Sequence, residues 1–402
     1  MRLQGWLARL ESYRPERIEL GLERVCVVFQ RLALNLGDMV VVTVGGTNGK
    51  GSSVAYLESV YRAAGYRVGA YTSPHLHHVG ERIRIDGRRA DDEALCDAFD
   101  AVAAAAGSTA LTYFEFITLA ALELFAAAQI QVLLLEVGLG GRLDAVNIVD
   151  ADVALITNIA LDHTDWLGPD RESIAREKAG IMRPGRPVVC ADPEPPLALL
   201  EHARSLGADL WCLNDRFGCR QTDDGFWSLR VGAWRLDGLP LPAMRGPFQL
   251  TNAAAALTVV QLLQPRLPAG SAALRVALTS TLLPAHVERL GGWVLDVAHN
   301  PAAAGALWTA LQPHSGRHRL LFSSLADEDA AGMLATVPPE FGEWHLAPLT
   351  QQRALDGPGL ERVAGIACAR RDVDVRIHAT VADAVTHLRD TAAPDERIVA
   401  FG

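Results

Sequence analysis

The chain has 402 residues, half of them apolar and 21% charged, with a formal net charge of −10. That length exceeds one domain and suits two or three. The acidic balance excludes a nucleic-acid backbone as a bulk partner, because no cationic surplus exists to neutralise it.

In chain order, the N-terminal MRLQGWLARLESYRPER carries charge throughout and does not read as a signal peptide. No run approaches the about 18 uncharged apolar residues of a membrane span. Cys26, Cys96, Cys190, Cys212, Cys219 and Cys368 form no C-x-x-C pair. Neither a zinc knuckle nor a disulfide framework is expected, and free thiols in a reducing compartment are. The natural class is a cytoplasmic enzyme without a membrane partner.

MVVVTV predicts a strand. The glycine loop Gly45-Gly46-Thr47-Asn48-Gly49-Lys50-Gly51-Ser52 follows, and SSVAYLESVYRAAG then predicts a helix. YRVGAYTS reads as a strand. DDEALCDAFDAVAAAAG has the acidic start and glycine stop of a capped helix, and its Ala101–Ala106 run a small-residue face. FEFITLAALELFAAAQ is a further helix, and VLLLEVG, DVALITNI and PVVCAD are strands. Near-continuous apolar strands between helices imply a parallel sheet buried on both faces. Residues 208 to 245 alternate in short runs around Asp-Gly and predict antiparallel hairpins. The helix QLTNAAAALTVVQLL follows. Pro265 to Gly292 is rich in Pro, Gly and small residues and carries a boundary near its end. From Trp293, WVLDVA, RLLFSSL, EWHLAPL, VRIHAT and RIVAFG are strands separated by helices. The expected architecture is a parallel-sheet α/β domain with a phosphate loop over residues 1–285, followed by a smaller Rossmann-like α/β domain over residues 286–402.

A strand, a glycine loop and a helix in that order make a phosphate cradle. Glycines let backbone N–H groups approach phosphate oxygens, the helix N-terminus adds partial positive charge, and Lys50 adds a full one. The strict G-x-x-x-x-G-K-[ST] pattern fails, because Gly51 stands between Lys50 and the Ser52 hydroxyl. Glu136 ends an apolar strand, where an open parallel sheet places its ligands. It reads equally as a ligand for Mg²⁺ that also touches phosphates or as an acid capping the next loop. His163 follows another strand end, between Asp162 and Asp165, and reads either as a metal or phosphate group or as a structural residue. Spacing alone makes Lys178 a solvated helix lysine; beside a metal site it reads instead as a residue of lowered pKa that could form a carbamate with CO₂. His75, His77 and His78 cluster without a carboxylate at useful spacing, which disfavours a metal site. Asp296 and His299 flank the exit of the first strand of the second domain, before a helix opening at Pro301 that Asn300 could cap. An Asp there can hold a ribose hydroxyl pair, and a His can stack on or hydrogen-bond a nucleotide.

Together these segments resemble folylpolyglutamate synthase and the bifunctional dihydrofolate synthase/folylpolyglutamate synthase of the Mur ligase-like family. GTNGKGS, YTSPHL with ERIRIDG, LTYFEFITLAALELF, LEVGLGGRLDAVNIV, IALDHTDWLGPDRESIAREKAGIMRPG and LDVAHNP carry the resemblance across about residues 40 to 305. IELGLERV resembles the pterin-side loop, which assigns Leu20, Gly21, Leu22 and Arg24 to that substrate. The resemblance implies an ATP-dependent amide ligase acting through an acyl phosphate. Its substrates would be dihydropteroate, tetrahydrofolates and L-glutamate, and the family default is a monomer. It implies two Mg²⁺ ions held by Ser52, Ser73, Glu136 and His163. It implies ATP contacts from Gly46, Thr47, Asn48, Gly49, Lys50, Gly51, Ser52, Asn252, Asp296 and His299. Lys178 matches the family's carbamylated lysine and, with Lys50 and His163, forms the implied catalytic set.

Three departures stand out. The family's L-P-G-R is Leu283-Pro284-Ala285-His286 here, which replaces a fixed cation by an imidazole. Its D-K-D is Asp327-Glu328-Asp329, and the chain ends at Phe401-Gly402 where relatives continue. Arg289 or Arg353 could supply a lost cation. These changes favour the alternative of a non-catalytic folate- or nucleotide-binding relative, and the retained Lys50, Glu136, His163 and Lys178 weigh against it. A Mur-type cell-wall ligase is disfavoured by the pteroate-family phrases.

Overall fold

The structure, a computed structural model, describes residues 2–12, 20–311, 316–350, 353–368 and 373–402. It divides into two compact units. One comprises Met1–Ala243 and Leu250–Thr281, the other Met244–Gln249 and Leu282–Gly402. Relative to an expected boundary at 285/286, residues 282–285 and the short segment 244–249 fall with the second unit. The turn Leu282–Val287 leads directly into a strand of that unit, which ties it there.

The first unit is built on eight strands: β1 Val40–Gly45, β2 Val68–Tyr71, β3 Ile83–Ile85, β4 Arg88–Arg89, β5 Val132–Glu136, β6 Val153–Ile156, β7 Pro187–Cys190 and β8 Asp209–Cys212. Their order is β4-β3-β2-β5-β1-β6-β7-β8. From β2 to β8 all pairs are parallel, and β3 and β4 add an antiparallel edge. Every residue of β1 is buried, as its β-branched run demands of a strand covered on both faces. Val42 pairs with Leu134 of β5 on one side and with Val153 of β6 on the other. The C-terminal ends of β1, β5 and β6 therefore open at one edge, where such sheets bind ligands.

Helices cover the sheet where their caps predict. In Asp92–Ala106 the Asp91 carboxylate accepts from the N–H groups of Glu93 and Ala94. Tyr113–Ala127 starts with a Thr112/Glu115 capping box, and a cap of this kind contributes about 1 kcal/mol. The apolar faces meet in one core that includes Val41, Leu133, Ile156, Phe99, Phe116 and Phe125.

Two expectations need correction. Asp209–Cys212 is not part of a hairpin: it joins the large sheet in parallel, with Cys190 opposite Cys212. Only β9 Phe217–Gln221, β10 Phe226–Val231 and β11 Trp234–Pro240 form the antiparallel sheet. The Pro- and Gly-rich stretch also contains a helix, Ser271–Ser280, whose Ala273, Leu274, Ala277 and Leu278 are buried. Its alanines and leucines recur at helical spacing, which the flanking breakers masked.

The second unit has β12 Glu288–Leu290, β13 Trp293–Leu295, β14 His318–Phe322, β15 Glu343–Leu346, β16 Asp374–Ile377 and β17 Arg397–Phe401, in the order β12-β13-β17-β14-β15-β16. β12 is antiparallel and the others are parallel, a Rossmann-like sheet with its own core around Leu320, Phe322, Trp344 and Val399. Among the described residues no helix is long and apolar enough to cross a membrane.

Candidate active site

At the end of β1 the chain turns through Gly46 into the helix Lys50–Ala63, with Gly49 as its N-cap. Gly46 has φ +137°, and a Cβ there would lie 1.9 Å from Thr157 Oγ1. Only glycine fits this approach of the loop to the end of β6. Gly49 has φ +83° and faces the buried Asn252, whose Oδ1 would lie 2.6 Å from a Cβ. The loop is fastened to the segment after β6. Thr47 N–H donates to Asn158 O (2.8 Å), and Asn48 N–H donates to Asn158 Oδ1 (2.8 Å). Thr157 Oγ1 donates to Asn48 O (2.7 Å), and Ala160 N–H donates to Thr47 Oγ1 (3.0 Å).

Two lysines converge on this loop. Lys50 Nζ donates to Gly46 O (3.2 Å) and Thr47 O (2.9 Å). Lys178 Nζ donates to the same Gly46 O at 2.8 Å. Lys178 belongs to the helix Arg171–Ala179 and is 4% exposed, so it is not the solvated lysine its spacing suggests. Burial, reinforced by the charge of Lys50, pushes its pKa down to about 7, against the pull of Asp162 and Asp144. The helix is held in place by its partners. Arg142 N–H donates to Glu177 O (2.8 Å), and Arg171 reaches both Asp192 oxygens (3.1 Å) while Asp192 Oδ2 accepts from Ile159 N–H (2.7 Å).

Glu136 ends β5 beside the loop. It is 5% exposed, and a Cβ on Gly51 would lie 3.7 Å from its Oε2. Ser73 N–H donates to Glu136 Oε2 at 3.3 Å. Burial pushes this carboxyl up to about 7, with Lys50 and the Ser73 amide opposing. The buried Ser52 lies next to Gly51 in the same helical turn. Glu136, Ser52 and Ser73 thus gather at the ends of β5, β1 and β2. Their carboxylate and hydroxyl oxygens are the hard donors that Mg²⁺ requires, and the buried carboxylate needs a positive partner when ionised. Asp144 is a second buried acid; burial raises it to about 6, although it accepts from the Gly138, Leu139 and Val146 amides.

His163 sits after β6 in the left-handed region (φ 48°) and opens the short helix Thr164–Leu167. Its Nε2 is 3.9 Å from Asp162 Oδ1.

Residues 44–194, which carry this geometry, match the family described as Mur ligase middle domain. Over 356 residues, 87% of this chain and 83% of the relative, the chain is 44% identical to the dihydrofolate synthase/folylpolyglutamate synthase of Escherichia coli (strain K12). The chain belongs to the dihydrofolate synthase/folylpolyglutamate synthase family. Its fold superposes on E. coli FolC in complex with DHPP and ADP with a TM-score of 0.91 at 40% identity, covering 100% of this chain and 94% of that one. A bifunctional folylpolyglutamate synthase/dihydrofolate synthase with Mn, AMPPNP and L-glutamate bound gives a TM-score of 0.89 at 41% identity, covering 100% and 95%.

The remaining residues implied by the resemblance to the dihydrofolate synthase/folylpolyglutamate synthase family lie elsewhere. Leu20, Gly21 and Leu22 precede the helix Glu23–Leu32, and Arg24 Nη2 donates to Glu115 Oε1 (3.1 Å). Ile18 and Glu19 of the pterin-side phrase lie outside the described residues. In the second unit Asp296 Oδ2 accepts from Val287 N–H (2.9 Å), and burial raises its carboxyl. His299 Nδ1 is 3.0 Å from Val297 O, and Asn300 Oδ1 caps the helix Pro301–Ala310 through Ala303 N–H (2.9 Å). His286 Nδ1 is 2.8 Å from Pro284 O, in a turn where Ala285 and Val287 both take positive φ. Arg353 pairs with Asp327, so that cation is already matched within the altered D-E-D segment, whereas Arg289 is exposed on β12. Glu328 accepts from Ser324 Oγ (2.9 Å) and Leu325 N–H (2.8 Å) and serves its own turn. His75 Nδ1 accepts from Arg82 Nε (2.8 Å) and His78 Nδ1 from Gly80 N–H (2.9 Å), so those histidines hold local structure.

Sequence reasoning missed Asn158, Thr157 and Asp192. Their signal was position: Thr157 and Asn158 follow β6, the strand next to β1, and Asp192 follows β7, the next strand out.

Proposed function

We propose that the chain is an ATP-dependent amide ligase that joins L-glutamate to dihydropteroate and to folates. The convergence of Lys50 and Lys178 on the Gly46 carbonyl, beside the buried Glu136, carries this reading together with membership of the family. A nucleotide-binding module has no need of a second, desolvated lysine against its phosphate loop.

In the proposed reaction a pteroate carboxylate oxygen attacks the γ-phosphorus of ATP, the bond to the β–γ bridging oxygen breaks, and ADP leaves. A carboxylate is a poor electrophile, and the acyl phosphate supplies the leaving group it lacks. The unprotonated amine of glutamate then adds to the acyl carbon. The tetrahedral intermediate expels phosphate, and the nitrogen loses its proton. Loop amides from Gly46 to Ser52 and the Lys50 ammonium stabilise charge spread over the transferring phosphoryl group. Ser52, Ser73, Glu136 and His163 are the proposed holders of divalent magnesium, which when bound neutralises phosphoryl charge.

Lys178 is proposed to work as a carbamate. Its neutral amine adds to the carbon of CO₂ and releases a proton, turning a neutral group into an anion. A pKa of about 7 leaves that amine free near neutrality. His163 is proposed to act beside it. Asn252, Asp296 and His299 are proposed for the nucleotide, and Leu20, Gly21, Leu22 and Arg24 for the pterin. We place the activity in the cytoplasm; the free thiols of Cys26, Cys96, Cys190, Cys212 and Cys219 support a reducing compartment.

The test is phosphate release from ATP with Mg²⁺, L-glutamate and either dihydropteroate or tetrahydrofolate. Release that requires both glutamate and an acceptor is expected. No release with either acceptor would refute the ligase, and release with dihydropteroate alone would remove the polyglutamate activity.

A further inference from the structure

The second unit carries a polar cluster that the ligase reaction does not use. Glu343 and His345 are two residues apart on β15, so their side chains share one face of the sheet. His378 follows β16, and its N–H donates to Leu346 O (2.8 Å). His387 comes from the helix Val381–Thr391. The three imidazole centroids are 5.2, 5.3 and 5.5 Å apart. His345 is fully buried, and the Glu343 side chain is 12% exposed.

The contacts define how the cluster is wired. His345 Nε2 is 2.8 Å from Glu343 Oε1, and His345 Nδ1 is 2.9 Å from His378 Nε2. The other Glu343 oxygen accepts from Arg317 Nη2 (2.7 Å) and lies 3.3 Å from Arg319 Nε. Arg376 Nη1 is 2.7 Å from His387 Nε2. Among the described residues, Glu343, His345 and His387 form the one group of three such side chains whose ligand atoms all lie within 4.8 Å of one another.

We propose that Glu343, His345 and His387 form a binding site for a zinc-like divalent transition metal in the second unit, distinct from the magnesium chemistry of the phosphate loop. Two imidazole nitrogens and one carboxylate oxygen are the donor set of three-ligand zinc sites, and nitrogen ligands select against Mg²⁺. The hydrogen bonds supply the supporting shell. Without metal, His345 Nε2–H donates to Glu343 and Nδ1 accepts from His378. With metal, Nε2 gives up its proton to solvent and takes the ion. Nδ1 takes over the proton that His378 Nε2 had donated, and His378 regains one from solvent on its Nδ1. Nδ1–H of His345 then donates to His378, and the ring is fixed in its ligand tautomer with no net proton change. The Arg317 and Arg319 contacts hold Glu343 through its other oxygen. Arg376 is exposed and is the competitor: its guanidinium must leave His387 before that ring can bind. The ion would tie β15 to the helix Val381–Thr391, a link between elements far apart in sequence.

The experiment uses the full chain, stripped with chelator and then held in millimolar Mg²⁺ so that the phosphate-loop site is covered. Titration with Co²⁺ alone should give one equivalent of a visible d–d band of low coordination number, which Zn²⁺ removes. His387→Gln, on a half-exposed helix position, should weaken binding at least about 10-fold, and Glu343→Gln likewise. Arg376→Ala should tighten it. Glu136→Gln, at the phosphate loop, should leave the band in place. Absence of the band in the unaltered chain would overturn the proposal. So would a band that survives His387→Gln or disappears in Glu136→Gln.

Discussion

Lys50 and Lys178 donate to the same carbonyl oxygen, that of Gly46, at 3.2 and 2.8 Å. Burial lowers the Lys178 pKa, and the charge of the neighbouring Lys50 lowers it further. The Lys50 charge that neutralises phosphate thus also helps keep its neighbour's amine neutral.

Lys178→Ala is expected to lower kcat by at least about 100-fold, the scale of losing one charged group that stabilises a transition state. ATP affinity should change little, because Lys50 and the loop amides remain. Turnover and nucleotide binding measured separately check this split. Unchanged turnover would remove Lys178 from the mechanism.

Activity should depend on CO₂ in a pH-sensitive way. The Lys178 amine is protonated below about 7, and an ammonium cannot add to CO₂. As pH falls through 7 the carbamate is lost, so bicarbonate-depleted enzyme should be impaired most at pH 6 and least at pH 8, with added bicarbonate restoring it. Assays at both pH values, with and without bicarbonate, read the effect. Indifference to bicarbonate at both would contradict the carbamate.

Glu136→Gln should raise the Mg²⁺ concentration for half-maximal activity about 10-fold or more. In chelator the same variant should stabilise the protein at pH 8. The folded carboxyl is raised from 4.5 to about 7, so the folded state binds more protons than the unfolded one across that window. Stability is then lost as pH rises through it. A neutral amide escapes the loss, which is at most about 3 kcal/mol at about 1.4 kcal/mol per pKa unit. Thermal unfolding at pH 5 and pH 8 measures it: the variant gains at pH 8 and not at pH 5.

Gly46→Ala should displace the loop, because its Cβ would meet Thr157 Oγ1 at 1.9 Å and its φ of +137° suits only glycine. Strain of this kind costs about 1–3 kcal/mol. A lower Tm together with at least about 10-fold weaker ATP binding is expected. Isothermal titration and thermal unfolding test both.

Local features of this fold and site were legible in the chain and long-range ones were not. The loop around Lys50 is contiguous, so its strand, glycines and helix announce themselves. Glu136 and Ser73 were reachable because each ends an apolar strand. The burial of Lys178 was not, since its acceptor is 132 positions away and a polar helix pattern looks solvated. Asp209–Cys212 resembles a hairpin strand because a short edge strand lacks the long apolar run of β1. The matching of Arg353 by Asp327, and the gathering of His345, His378 and His387, depend on strand order, which no local pattern encodes.

In the proposed reaction ATP phosphorylates a pteroate carboxylate so that glutamate can displace phosphate. Dihydropteroate labelled with ¹⁸O at both carboxylate oxygens, turned over with ATP, Mg²⁺ and L-glutamate, tests it directly by mass spectrometry. Dihydrofolate and phosphate are expected in equal amounts, with one ¹⁸O in each phosphate. Phosphate without the label, or ATP cleavage without the conjugate, would contradict it.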